Sequence, residues 1–112
     1  MPLYMLLLHS DPNGFVNLSP DEMQKALEKF TAWTKMPFTR DGKRLADDVG
    51  KVLRNKNGQK RAVDGPYSET KEVLGGYYTI EAASYDEAVK LALDHPTIEY
   101  GGTIEIRHVW GT

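Results

Sequence analysis

Six apolar residues in succession, Leu3-Tyr4-Met5-Leu6-Leu7-Leu8, form the first readable element of the chain. The run is too short for a typical helix and does not alternate with polar residues. It therefore predicts a strand covered on both faces. His9 to Gly14 reads as a polar loop leaving that strand. Ser19-Pro20-Asp21-Glu22 is a helix start: Ser19 can cap, Pro20 suits the first helical position and Glu22 completes a capping box. Met23, Ala26, Leu27, Phe30 and Trp33 then recur at helical spacing and make one apolar stripe. Phe30 and Trp33 lie on that stripe and are expected in the core. Pro37 limits the helix at its far end.

Residues 37–50 carry a weaker pattern. Asp41-Gly42 reads as a turn, and Leu45-Ala46 as a piece of a short strand. Beyond them, Lys51–Arg54 and Lys60–Val63 flank Asn57-Gly58, a strong hairpin signal. The hairpin runs into the bend Asp64-Gly65-Pro66-Tyr67 and then a polar elbow of Ser68, Glu69, Lys71 and Glu72, closed by Gly75-Gly76. Tyr77 to Ala82 alternates as a strand, with Tyr78, Ile80 and Ala82 on one face. Ser84-Tyr85-Asp86-Glu87 is a second capping box, and Tyr85, Ala88, Val89 and Ala92 form the next stripe. Asp94-His95-Pro96 ends that helix, and Gly101-Gly102 leads into a last strand from Thr103 to Val109.

This order predicts one α+β domain over residues 1–112, of the ferredoxin-like split βαβ type. Two helices cover one face of an antiparallel sheet, and a β-hairpin is inserted. Tyr78, Ile80, Ile104 and Ile106 should meet the helices. Tyr77, Thr79, Glu81, Glu105 and Arg107 should line the opposite face.

Charge and composition narrow the function. The 112 residues carry a formal net charge of -2, which argues against DNA or RNA as a general partner. Between Arg40 and Arg61 eight basic residues meet only three acids, so this segment is net +5 and the remainder -7. Two readings stay open: a solvated hairpin surface, or a patch for an anionic ligand or acidic partner. There is no cysteine, so disulfides and thiolate metal sites are excluded. No run is long enough to span a bilayer, and Leu3–Leu8 lacks the flanks of a signal peptide. A cytoplasmic protein without membrane contact is expected.

The densest stretch is Asp64 to Tyr78, DGPYSETKEVLGGYY. Asp64 can bond the backbone ahead of it, and Pro66 stiffens the bend that aims Tyr67. As an acid–base pair the best candidates are Asp64, as base or histidine orienter, and His95, as proton carrier. Tyr67 and Tyr77 could supply stacking walls, and Arg107 could fork onto a carboxylate or phosphate. Each has a plainer role too: His95 as a helix-terminal residue, Arg107 as the partner of Glu81 or Glu105, and His9 and His108 as strand ends. No metal spacing and no phosphate-binding glycine loop is present, so no metal and no cofactor is expected.

DGPYSETKEVLGGYY resembles the signature of the YCII-related proteins of the DGPF group, with Tyr67 where phenylalanine is usual. The opening LYMLLL, the SPDEM helix start, the helix ending in HP and the closing YGGTIEIRHV are also similar to that group. The resemblance implies a ferredoxin-like chain that dimerises sheet to sheet into an α+β barrel. In related YCII enzymes a histidine on the first helix pairs with an aspartate just before a proline after the second helix. Here the first helix has no histidine, and the residue before Pro96 is His95. Some genes of the group adjoin or fuse to sigma-factor genes, which implies a regulatory role. The expected function is thus binding of a small anionic molecule, with acid–base chemistry in a cleft near Asp64, Tyr67 and His95, in a homodimer. The alternatives are a non-enzymatic regulatory or protein-interaction module using the basic hairpin 51–61, and a purely structural dimer.

Overall fold

The computed structural model describes residues 1–11, 18–67 and 71–112. Its first strand, β1 (Leu3–Ser10), buries Tyr4, Leu6 and Leu8 on one face, whereas Leu3, Met5 and Leu7 on the other are half-buried. The strand continues through His9 and Ser10, which sequence placed in a loop, because Thr103, Leu74 and Val73 supply partners for them. Pro12, Asn13 and Gly14 lie outside the described residues.

Helix α1 (Pro20–Thr34) begins as its sequence predicts. The Ser19 side chain accepts the Glu22 N–H, and the Glu22 carboxylate accepts the Ser19 N–H. These bonds hold the Glu22 carboxyl below the usual carboxylate range. Ala26 and Trp33 are buried, and Phe30 packs against the same core. Beyond α1 the chain forms strand β2 (Thr39–Arg44), and here the Asp41-Gly42 turn is corrected. A sheet edge is available, so Asp41 and Gly42 pair with Thr79 and Tyr78 instead of turning, after an irregularity at Arg40. Glycine is required at position 42 for another reason: a Cβ there would lie 2.6 Å from the Tyr78 ring.

Among the described residues, strands β3 (Lys51–Lys56) and β4 (Gln59–Asp64) pair only with each other, as a two-stranded ribbon. Asn57 and Gly58 turn it with φ of 53° and 81°, as a two-residue hairpin demands. The ribbon stands off the body as an arm. The radius of gyration is accordingly 15.8 Å, against roughly 13 Å for a compact chain of this length.

Strand β5 (Val73–Glu81) starts four residues before Tyr77, so the glycine pair lies inside the strand rather than before it. Gly76 sits between Leu8 of β1 and Arg44 of β2. A Cβ on it would come within 2.9 Å of the Lys43 carbonyl oxygen. Gly76→Val is therefore expected to cost about 2–3 kcal/mol. Lys56→Ala, at the arm tip, should stay within about 0.5 kcal/mol. Thermal melts decide between them, and equal melting temperatures would reject the close packing at Gly76.

Helix α2 (Tyr85–Ala92) is capped by Ser84, which accepts the Glu87 N–H. Its buried stripe is narrower than predicted. Ala88 and Ala92 are covered, while Tyr85 and Val89 remain exposed. A four-residue helix, α3 (Pro96–Glu99), follows and had no counterpart in the sequence reading. Strand β6 (Thr103–His108) completes an antiparallel sheet of order β2-β5-β1-β6, the ferredoxin-like arrangement. Tyr78 and Ile80 are buried, and Ile104 and Ile106 pack on the same core, as expected. Among the described residues no helix lies on the other sheet face, where Leu3, Met5 and Leu7 form a central, half-buried apolar strip. No helix among the described residues is long and apolar enough to cross a membrane.

Candidate functional site

The five residues singled out in the sequence fall in three places. His95 is fully buried beneath the helices, 0% exposed. It caps α3: its Nδ1 accepts the Thr97 N–H at 2.9 Å. Phe30, Trp33 and Tyr78 surround the ring, each edge-on with centroids 4.9–5.1 Å away. With Nδ1 accepting, the proton of the neutral ring sits on Nε2, which has no hydrogen-bond partner among the described residues. Burial lowers the His95 pKa to about 4. Beside it, burial raises the Tyr78 phenol to about 12, and the hydroxyl donates to the Phe30 carbonyl at 3.0 Å. This histidine is an uncharged core residue in the chain.

Asp64 and Tyr67 lie at the root of the arm. The Asp64 side chain is 74% exposed and pairs with Lys51 across the ribbon. The bend itself is tight. The Gly65-Pro66 bond is cis, the Gly65 N–H donates to the Gly50 carbonyl at 3.0 Å, and a Cβ on Gly65 would run into the Val49 carbonyl. The Tyr67 ring is 75% exposed, with the Arg54 guanidinium 5.4 Å from its centroid. The chain thus holds Asp64 and His95 apart, one on the arm and one in the core. Ser68 and Glu69 of the polar elbow lie outside the described residues.

Tyr77 and Arg107 share the open sheet face. They stand on β5 and β6, on either side of β1, opposite Leu7 and Met5 respectively. Two strand spacings separate them, on the order of 10 Å. Around each, the strand register assembles a polar group. The Tyr77 hydroxyl donates to Asp41 at 3.0 Å, and Lys43 approaches the same carboxylate at 3.3 Å. The Tyr77 bond, then the Gly42 N–H and Lys43, lower the Asp41 carboxyl, and the same Tyr77–Asp41 bond raises the phenol. On the other side, Glu105 lies between His9 Nε2 at 3.5 Å and Arg107 at 3.4 Å. Arg40 pairs with Glu81 at the β2 edge of this face.

Asp41 and His9 were not recognised in the sequence as site residues. Asp41 was read as part of a turn and His9 as a strand end. Only strand alternation and register, which place positions 41, 77, 105 and 107 on one face, could have found them. Two open grooves occur elsewhere. One of about 480 Å³ is lined by Leu53, Arg54, Asn55, Lys60, Arg61 and Ala62 on the arm, and one of about 340 Å³ runs along α1. Neither is lined by the five residues singled out in the sequence. Among the described residues no three His, Asp or Glu side chains gather as they would around a metal ion.

Comparison with known proteins places this architecture. An uncharacterised protein of Rhizobium meliloti (strain 1021) is 33% identical over 98 residues, covering 82% of this chain and 78% of that protein. Among solved structures, 5-chloro-2-hydroxyhydroquinone dehydrochlorinase from Burkholderia phenoliruptrix AC1100, in complex with 2,5-dihydroxybenzoquinone, is similar in fold. Its TM-score is 0.50 at 15% identity, over 96% of this chain and 91% of that one. The family model of the YCII-related domain matches residues 2–111. The chain belongs to the YCII-related family.

Proposed function

We propose that the open sheet face is the working surface of this protein, and that it binds a small anionic molecule between two copies of the chain. The observation that carries the reading is the composition of that face. Leu3, Met5 and Leu7 form an apolar strip that the chain leaves half-covered. Tyr77 with Asp41 and Lys43 flanks it on one side, and Arg107 with Glu105 and His9 on the other. A second copy stacked on the strip would turn the face into an interior, in which Tyr77 stacks on a ligand ring and Arg107 meets its charge. The dimeric barrel expected from the sequence resemblance has this form.

For acid–base chemistry, this face offers His9 beside the Glu105 carboxylate. A carboxylate in that position can orient the imidazole toward a ligand held on the face. Asp64 and His95, the pair expected from sequence, would first need to be brought together. The same fold carries a dehydrochlorinase in complex with a small dihydroxyquinone. The competing reading, a regulatory module docking through the basic hairpin, is favoured by the exposure of the arm.

Titration with benzoate at millimolar concentration, followed by NMR of the wild-type protein, tests the binding reading. Signals of Tyr77 and Arg107 are expected to move together. Arg107→Met should weaken binding roughly tenfold, the size of one charge-assisted contact. Shifts confined to the arm, or none at all, would reject the sheet face as the binding site.

A further inference from the structure

The arm β3–β4 is a poor structure by itself. A two-stranded ribbon is marginally stable in water, and among the described residues no further strand pairs with the outer side of either one. Register makes it worse. Arg54 lies directly opposite Arg61, and like charges in opposed positions repel. Among the described residues, the acid that pairs with an arm cation is Asp64, on Lys51. Arg54 rests on the Tyr67 ring and Arg61 leans on Gln59. Leu53 is 77% exposed and Val63 is 44% exposed. Such a ribbon is made for a covering surface that is acidic with apolar ground between the charges.

The rest of the chain carries the opposite net charge. Lys51 to Asp64 carries five basic residues and one acid, net +4, which leaves -6 on the rest of a chain whose total is -2. We propose that the arm is a clasp, and that in a pair of chains each arm lies across the acidic body of the other. Two-fold pairing makes the contact twice, so each copy both gives and receives an arm. The inference rests on the pairing of sheet faces proposed above, and extends it: the sheet faces meet, and the arms hold them.

Two measurements on the full chain test the clasp. In the first, the double variant Arg54→Glu, Arg61→Glu is compared with wild type by sedimentation equilibrium. The dimer dissociation constant should rise at least roughly tenfold, because reversed charges would face an acidic surface. Added salt should weaken wild-type pairing in the same direction. Both residues lie outside the core, so the thermal melt should keep its cooperativity. In the second, a benzophenone amino acid replaces Val63, which shares a ribbon face with Arg54 and Arg61, in isotopically labelled chains mixed with unlabelled ones. Photolysis should join position 63 to peptides outside residues 51–64 of the other copy. A dimer with an unchanged constant and no cross-links between chains would overturn the clasp and leave the sheet-face pairing standing. Cross-links within one chain only would likewise overturn it. A wild-type chain that is monomeric throughout would remove both.

Discussion

Lowering the pH from about 7 to about 4 is expected to remove about 3 kcal/mol of stability through His95 alone. The ring is neutral and fully buried, and burial lowers its pKa from 6.5 to about 4. An unfolded chain binds the proton near pH 6.5, whereas the folded chain does not until about pH 4. Between those values the unfolded state holds more protons, so stability falls as the pH falls. Above the window both states are neutral and the full stability is present. Below it both are charged and the loss is complete. A shift of this size corresponds to about 3 kcal/mol at about 1.4 kcal/mol per pH unit. Urea unfolding across that range measures it. His95→Asn keeps an oxygen able to accept the Thr97 N–H but cannot titrate, so its profile should be flatter by that amount. It should also be less stable near neutrality, because the aromatic contacts with Phe30, Trp33 and Tyr78 are lost. Parallel pH profiles for the two proteins would show that His95 is not held neutral by the core.

Leu7→Asp is expected to weaken self-association at least roughly 100-fold while leaving the chain folded. Leu7 is in the middle of the open face, between Tyr77 and Glu105 on the neighbouring strands. If a second copy covers that strip, the new carboxylate is buried without a counter-charge, which costs about 3 kcal/mol or more. In the separated chain position 7 is half-buried and open to water on one side, so circular dichroism should be preserved and the melt should stay cooperative with a modest loss of stability. Light scattering at micromolar concentration should report a dimer for wild type and a monomer for the variant. A clean wild-type monomer with an intact fold would sink the sheet-face pairing, as would a variant that associates like wild type. Because Leu7 is not on the arm, this result separates the sheet face from the clasp.

The local chemistry of the chain was legible without the structure. Ser19 and Glu22 mark a helix start through bonds spanning three residues, and Asn57-Gly58 marks a two-residue turn through its own backbone angles. Such interactions close within a few positions, so residue type and spacing are enough to predict them. The alternation of Tyr78 and Ile80 against Tyr77 and Thr79 likewise predicted which sheet face the helices cover. What sequence left open depends on partners far along the chain. Asp41-Gly42 has the composition of a turn, yet the free edge of β5 draws it into a strand, and the Tyr78 ring needs the missing Cβ. His95 stands beside a proline like an exposed helix end, but Phe30, Trp33 and Tyr78 close over it from other elements. His9 meets Glu105, and Tyr77 meets Asp41, only because strand register sets residues 96 and 36 positions apart side by side. Local bonding decided the elements; the pairing of distant strands decided which side chains share a face, and so where the chemistry of this protein can be.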